Sequence, residues 1–221
     1  MLQQIRDFNG DDGTQIIPSL GMKKALLYIH GMGGNSKEIE QFKNFCPAYD
    51  CHGIDFHDFT PWGTKEEILT AFNTLNSKYA NVSVLANSIG AYFSMLALQN
   101  CHVERAFLIS PILDMEALIL GMMLASGITE HELHERGEIV SSSGEILSWK
   151  YLCYVRDNPI KWNIRTAILY GENDNLTSSE TVDAFIRGHD AKLTVMKNGE
   201  HWFHTPEQMK FLCEWLQKES A

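Results

Sequence analysis

Ser88 lies in the stretch Val82-Ser83-Val84-Leu85-Ala86-Asn87-Ser88-Ile89-Gly90-Ala91-Tyr92, which begins β-branched and apolar and breaks at small residues. It then runs on through Phe93, Met95, Leu96 and Leu98. That pattern predicts a strand, a sharp turn with the serine at its apex, and a buried helix. A serine held on such a turn takes a strained backbone conformation, and the residues two before and two after it are forced together. Gly90 meets that demand, and Ala86 is the next smallest choice. The hydroxyl would project from a strand tip beside the positive end of the helix, where it could attack an electrophilic carbon. A serine between small residues also suits a plain helix N-cap, so the chemistry needs partners.

A hydroxyl nucleophile needs a base to take its proton and a third group to orient that base. Two histidines, His201 and His204, follow the apolar run at 192–196. Two acids stand after similar runs, Asp114 behind 105–111 and Asp174 behind 166–170. Taken singly, the histidines are polar loop residues and the aspartates are turn residues that bond their own backbone. A third feature is His30-Gly31-Met32-Gly33-Gly34, directly after the buried run Ala25-Leu26-Leu27-Tyr28-Ile29. Such a turn can bring backbone N–H groups close to a ligand, or can simply be tight.

The elements that would position these groups alternate. Apolar runs too short for helices, at 25–29, 48–54, 82–86, 105–111, 166–170 and 192–196, read as strands. Helical spacing follows them. Asn35 with Glu38, Thr64 with Glu67, and Thr177 with Glu180 fit capping boxes, and Thr205, Pro206 and Gln208 open a final helix. Ile39, Phe42 and Phe45 would share one helical face, as would Ile68, Leu69, Phe72, Leu75 and Tyr79. Strand–helix alternation argues for a parallel sheet covered on both faces. It lapses over 112–162, where methionine-rich helical spacing gives way to polar residues, a Ser141-Ser142-Ser143-Gly144 turn and several aromatics. Residues 2–17 suggest an N-terminal hairpin around Asn9-Gly10-Asp11-Asp12-Gly13.

Composition narrows the function classes. The 221 residues suit one domain, and 44% hydrophobic with 21% charged residues is ordinary for a globular protein. A net charge of −10 without Lys/Arg clusters argues against nucleic acid or an anionic membrane as partner. Five scattered cysteines without a Cys-x-x-Cys pair read as thiols in a reducing compartment. The N-terminus lacks signal-peptide character, and no apolar run approaches the ~18 residues of a membrane span, so a cytoplasmic protein is expected. His52, Asp55, His57 and Asp58 crowd one loop, but their spacing matches no zinc pattern. His131 and His134 are three apart, where the metalloprotease helix needs four. No metal is expected.

The stretch 82–92 resembles the nucleophile elbow of the α/β-hydrolase family, with Ala-x-Ser-x-Gly for the commoner Gly-x-Ser-x-Gly. The order His-Gly turn, Ser, Asp, His, each at the carboxyl end of an expected strand, is that family's order and not that of chymotrypsin or subtilisin. The resemblance covers nearly the whole chain, the variable 112–162 excepted. It implies an α/β-hydrolase fold in a single domain over 1–221: a mostly parallel central sheet flanked by helices, with a helical lid insertion at about 112–162.

It also implies a catalytic set of Ser88, Asp174 and His201. His201 stands at the family's Gly-x-His position, which favours it over His204, and Asp174 at its Gly-x-x-Asp position, which favours it over Asp114. The N–H groups of Met32 and Ile89 would form the oxyanion hole. Trp62 near the site mouth, Met115, Ile119 and Met122 of the lid, and Trp202 would touch substrate, although the lid methionines equally suit contacts between lid and body.

The activity implied is hydrolysis of small or medium carboxylic esters through an acyl-enzyme on Ser88, with no cofactor. Thioesterases, amidases, acyltransferases and C–C hydrolases use the same triad, and some members of the fold are non-catalytic ligand receptors. The partner implied is a small-molecule ester, with no membrane insertion and a monomer or homodimer.

Overall fold

The computed structural model of the protein describes residues 24–221. The hairpin expected at 2–17 lies outside them. The described residues open with β1 (Lys24–Ile29), two short 3₁₀ turns, β2 (Tyr49–Ile54), α1 (Pro61–Asn76), β3 (Val82–Asn87), α2 (Ile89–Leu98) and β4 (Ala106–Ile109). Then come α3 (Met115–Ala125), α4 (Glu130–Arg136), a hairpin of β5 (Glu138–Val140) and β6 (Ile146–Ser148), and α5 (Trp149–Asp157). The chain closes with β7 (Thr166–Asn173), α6 (Ser179–Gly188), β8 (Ala191–Glu200) and α7 (Pro206–Ser220).

Six of the strands form one parallel sheet in the order β2-β1-β3-β4-β7-β8. Its inner strands are sealed on both faces, which is why they read as unbroken apolar runs. Alternate residues divide between two cores. Ala25, Leu27, Ile29, Val84, Ala86, Leu108 and Ile168 face one that also holds residues of α1, α2, α3, α5 and α6. Leu26, Tyr28, Leu85, Phe107, Ile109 and Leu169 face the other, against Ile39, Phe42 and α7.

The order has a consequence for function. The chain leaves β1 toward β2 along the second face and leaves β3 toward β4 along the first. The crevice between the carboxyl ends of β1 and β3 is therefore a topological switch point, where open parallel sheets bind ligands.

Several local expectations are corrected. The segment after the glycine turn is 3₁₀, not an α-helix. Asn35 caps Lys37 N–H at 3.0 Å, while Glu38 is held by the Tyr28 hydroxyl at 2.5 Å and closes no capping box. Helix α1 starts at Pro61 with Thr60 as its N-cap, four residues ahead of Thr64, because proline already has the φ of a first helical position. Thr64 instead donates its hydroxyl to the Asp58 carbonyl. Ser178, not Thr177, caps α6. The capping box of Thr205 with Gln208 does open α7.

The excursion between the adjacent strands β4 and β7 contains a hairpin as well as helices, and the Ser141–Gly144 turn is its tip, with Ser141 N–H donating to Glu145 O at 2.8 Å. Arg156 fastens the excursion together. Its Nε reaches Glu116 at 2.7 Å and its two Nη groups reach Glu130 at 2.7 and 2.9 Å, linking α3, α4 and α5. Among the described residues, no helix is long and apolar enough to cross a membrane.

Candidate active site

β3 runs straight into α2 through Ser88, whose φ of 54° and ψ of −122° no ordinary L-residue favours. Such a backbone costs about 1–3 kcal/mol and persists only where its surroundings fix it. Here Ser88 N–H donates to Ile109 O at 2.9 Å, and Ser88 O accepts from Ala91 N–H at 3.0 Å and Ile112 N–H at 3.1 Å. Gly90 makes the bend possible, since a Cβ there would stand 2.4 Å from the His30 carbonyl oxygen and 2.7 Å from that of Ile29. Ala86 is fully buried where the elbow commonly has glycine. Because the obstacles to a larger residue at 90 are backbone atoms, Gly90→Ala should destabilise the fold by about 1–3 kcal/mol or more. A lowered thermal midpoint, with activity lost in proportion or beyond, is the readout.

The carboxyl ends of β7 and β8 bring up the other two groups. Gly171 lies so close to β8 that an added Cβ would be 2.5 Å from Glu200 O and 2.7 Å from the carbonyl carbon of Gly199. The register of this pair shifts between Gly171 and Asn173, and Asn198 on β8 takes a positive φ of 56°. Through this irregular end the Asp174 and His201 loops meet. His201 Nε2 lies 2.8 Å from Ser88 Oγ, and its Nδ1 lies 2.7 Å from Asp174 Oδ2.

The Asp174 side chain is fully buried and that of His201 is 13% exposed, so the series is dry at the carboxylate and open at the imidazole. Asp174 Oδ1 accepts from Leu176 N–H at 2.8 Å and Thr177 N–H at 3.0 Å, which leaves Oδ2 for the imidazole. Thr177 also donates its hydroxyl to Pro111 O at 2.9 Å, and Tyr170 OH donates to Thr177 O at 2.8 Å. Thr177 thus anchors the acid loop, a role its helix-cap reading misses. The Asp-x-x-Thr spacing, which suits an Asx turn, was the available signal.

The alternatives are spent elsewhere. Asp114 caps α3 by accepting from Ala117 N–H at 2.9 Å, and His204 turns Nδ1 to Trp202 O at 2.7 Å. In the histidine-rich loop, His52 pairs with Tyr79 OH at 3.0 Å, Asp55 with Ser36 at 2.6 and 2.7 Å, and Asp58 with Thr60 N–H at 2.7 Å. Among the described residues no three His, Cys, Asp or Glu side chains gather to hold a metal ion.

The glycine turn touches the elbow, because a Cβ on Gly31 would stand 3.2 Å from Ser88 Cβ. Met32 follows it, 65% exposed, and Ile89 is the first residue of α2, whose N–H has no acceptor within the helix. Of the apolar residues expected at substrate, Trp202 stands beside His201 and is 69% exposed. Trp62 packs against Tyr151 and Tyr154 of α5 at 6.3 and 5.5 Å, under Lys150 Nζ. Met115 and Ile119 are buried in the first core, with Met122 half-buried against it.

No protein-family model matches the chain, and no curated protein matches it in sequence. Solved structures do match. Est1E from Butyrivibrio proteoclasticus with ferulic acid bound superposes with a TM-score of 0.72 at 17% identity, over 91% of this chain and 90% of that one. Alpha/beta hydrolase domain-containing protein 10 from mouse gives a TM-score of 0.70 at 13% identity, over 88% of each chain. An alpha-beta serine hydrolase homologue from Coxiella burnetii gives 0.58 at 14% identity, over 90% of this chain and 85% of that one. With its parallel sheet, its switch-point crevice and these neighbours, the chain has the α/β-hydrolase fold.

Proposed function

We propose that the protein is a serine hydrolase that cleaves small or medium carboxylic esters through an acyl-enzyme on Ser88. One observation carries the reading: a hydroxyl, an imidazole and a buried carboxylate lie in hydrogen-bond series, Ser88 Oγ to His201 Nε2 at 2.8 Å and His201 Nδ1 to Asp174 Oδ2 at 2.7 Å. A serine already in contact with a base that a carboxylate orients is an activated nucleophile, whatever fold presents it.

In the proposed reaction His201 Nε2 takes the Ser88 proton as Oγ bonds to the ester carbon. Asp174 holds the imidazole in the tautomer that accepts this proton and stabilises the cation it becomes. The oxyanion is met by the N–H groups of Met32 and Ile89, each worth roughly 3 kcal/mol in comparable sites. His201 returns its proton to the departing alcohol. Water, deprotonated in turn by His201, then attacks the acyl-enzyme, and Oγ leaves with a proton. No metal or organic cofactor takes part in these steps.

The ester preference draws support from the neighbours, since Est1E carries ferulic acid and another is described under LipS and LipT, metagenome-derived lipolytic enzymes. The excursion at 112–162, tied together by Arg156, serves as the lid in this reading, and Met122, half-buried against the first core, is its expected substrate contact. The five cysteines are free thiols, which suits a reducing, cytoplasmic setting.

A panel of p-nitrophenyl esters graded in acyl length, beside thioester and amide analogues, tests the assignment. Turnover should be highest for short to medium esters. A preference for thioesters or amides would move the protein to another class using the same triad, and failure to turn over any of them would favour a ligand-binding role.

A further inference from the structure

Asn87, the last residue of β3, follows the row of Leu85 onto the second face of the sheet, while Ser88 stands beyond the strand at the turn. On the second face the crevice deepens into a cavity of about 350 Å³ lined by Tyr28, Glu38, Phe42, Asn87, Trp202 and Phe203, among others. That volume lies within the range of small-ligand sites. Among the side chains lining it Glu38 bears the sole carboxylate, and no lysine or arginine is present.

The Glu38 carboxylate is built in. Its Oε2 accepts from Tyr28 OH at 2.5 Å, and burial together with this neighbour pushes the Tyr28 hydroxyl well above its usual range, so Tyr28 stays a donor to the carboxylate. A fixed carboxylate beside an aromatic ring attracts organic cations, by charge and by the ring's negative face, and the exposed ring here is Trp202, which stacks one face on His204 at 4.3 Å. We propose that this cavity binds the ammonium group of a small organic cation, with Glu38 as its counter-charge and Trp202 as its outer wall.

The place matters as much as the chemistry. A Cβ on Gly34 would fall 2.8 and 3.0 Å from the two Glu38 carboxylate oxygens, and one on Gly31 would fall 3.6 Å from Asn87 Nδ2 and 3.2 Å from Ser88 Cβ. The glycine turn is therefore the partition between cavity and nucleophile, with the cavity wall continuing into Trp202 next to His201. A cation held there lies one turn of chain from the serine. It is either the leaving-group end of an ester or a separate ligand pressing on that turn. The binding claim stands on the cavity alone, while the leaving-group version rests on the hydrolase reading above.

Isothermal titration calorimetry of the full chain with choline, and with its uncharged isostere 3,3-dimethylbutan-1-ol, tests the binding. Choline should bind about tenfold more tightly. Glu38→Gln, which keeps a partner for Tyr28, and Trp202→Leu, at an exposed position, should each reduce that preference, whereas Ser88→Ala should retain it. Equal affinities for the two compounds, no saturable heat with choline, or an unchanged preference in Glu38→Gln would overturn the proposal.

Esters of choline and of 3,3-dimethylbutanol with one common acyl group separate the sources. A choline preference in kcat/KM that Glu38→Gln removes marks the cation as leaving group. Equal turnover with choline still bound marks a separate ligand. Binding intact with neither ester cleaved keeps the cavity and rejects the hydrolase reading.

Discussion

Ser88→Ala is expected to lower kcat on a p-nitrophenyl ester by about 10⁴- to 10⁶-fold while leaving the fold intact. In the proposed reaction the loss is large because Oγ is the atom that bonds to the substrate, and the remaining contributions of oxyanion donors and binding give only a residual rate over water. The fold should survive because the backbone at 88 is held by Ile109 O, Ala91 N–H and Ile112 N–H, none of which involves the hydroxyl. Purified variant and parent should therefore give the same circular-dichroism spectrum and closely similar thermal midpoints. A variant that keeps a tenth or more of the activity would mean another nucleophile.

Asp174→Asn should cost about 10⁴-fold in kcat with little change in KM. The asparagine Oδ1 can still accept from the N–H groups of Leu176 and Thr177, which the carboxylate does at 2.8 and 3.0 Å. Its Nδ2 then faces His201 Nδ1, which lies 2.7 Å from Asp174 Oδ2 in the native protein. Two donors cannot share that space, so the imidazole moves its proton to Nε2 and loses the lone pair that accepts from Ser88. Steady-state kinetics at saturating ester measures the loss. The matching control is Asp114→Asn, whose side chain only caps α3, and which should retain near-parent kcat.

The inner sheet is legible in the chain because burial on both faces demands uninterrupted apolar residues, as in β1, β3, β4 and β7. Edge strands are less so. β8 carries Asn198 and Gly199 inside its span, so a reading that stops at turn residues ends it at 196, although the ladder continues irregularly to Glu200. Helix starts slip wherever two caps compete, as with Thr60-Pro61 against Thr64. The β5–β6 hairpin escapes because three-residue strands are too short to express a period, although its turn is visible.

Order at the ends of strands narrows the candidates, the resemblance to the α/β-hydrolase turn positions selects Ser88, Asp174 and His201, and the fold brings these three into contact. Apolar residues are harder to place, since helical spacing cannot distinguish a pocket wall from a core contact. Met115 and Ile119 lie in the core, and Trp62 against α5. Glu38 has the spacing of a cap yet bonds a tyrosine of the neighbouring strand, and the cavity beside it forms only when the 3₁₀ turn, β3 and the His201 loop converge.

Covalent labelling of the intact protein with a fluorophosphonate, followed by peptide mass spectrometry, tests the nucleophile and its activation together. The adduct should sit on the peptide containing Ser88, in a ratio of one per chain, and His201→Ala should slow its formation by orders of magnitude. An unlabelled protein, an adduct on a different serine, or labelling indifferent to His201 would contradict the relay.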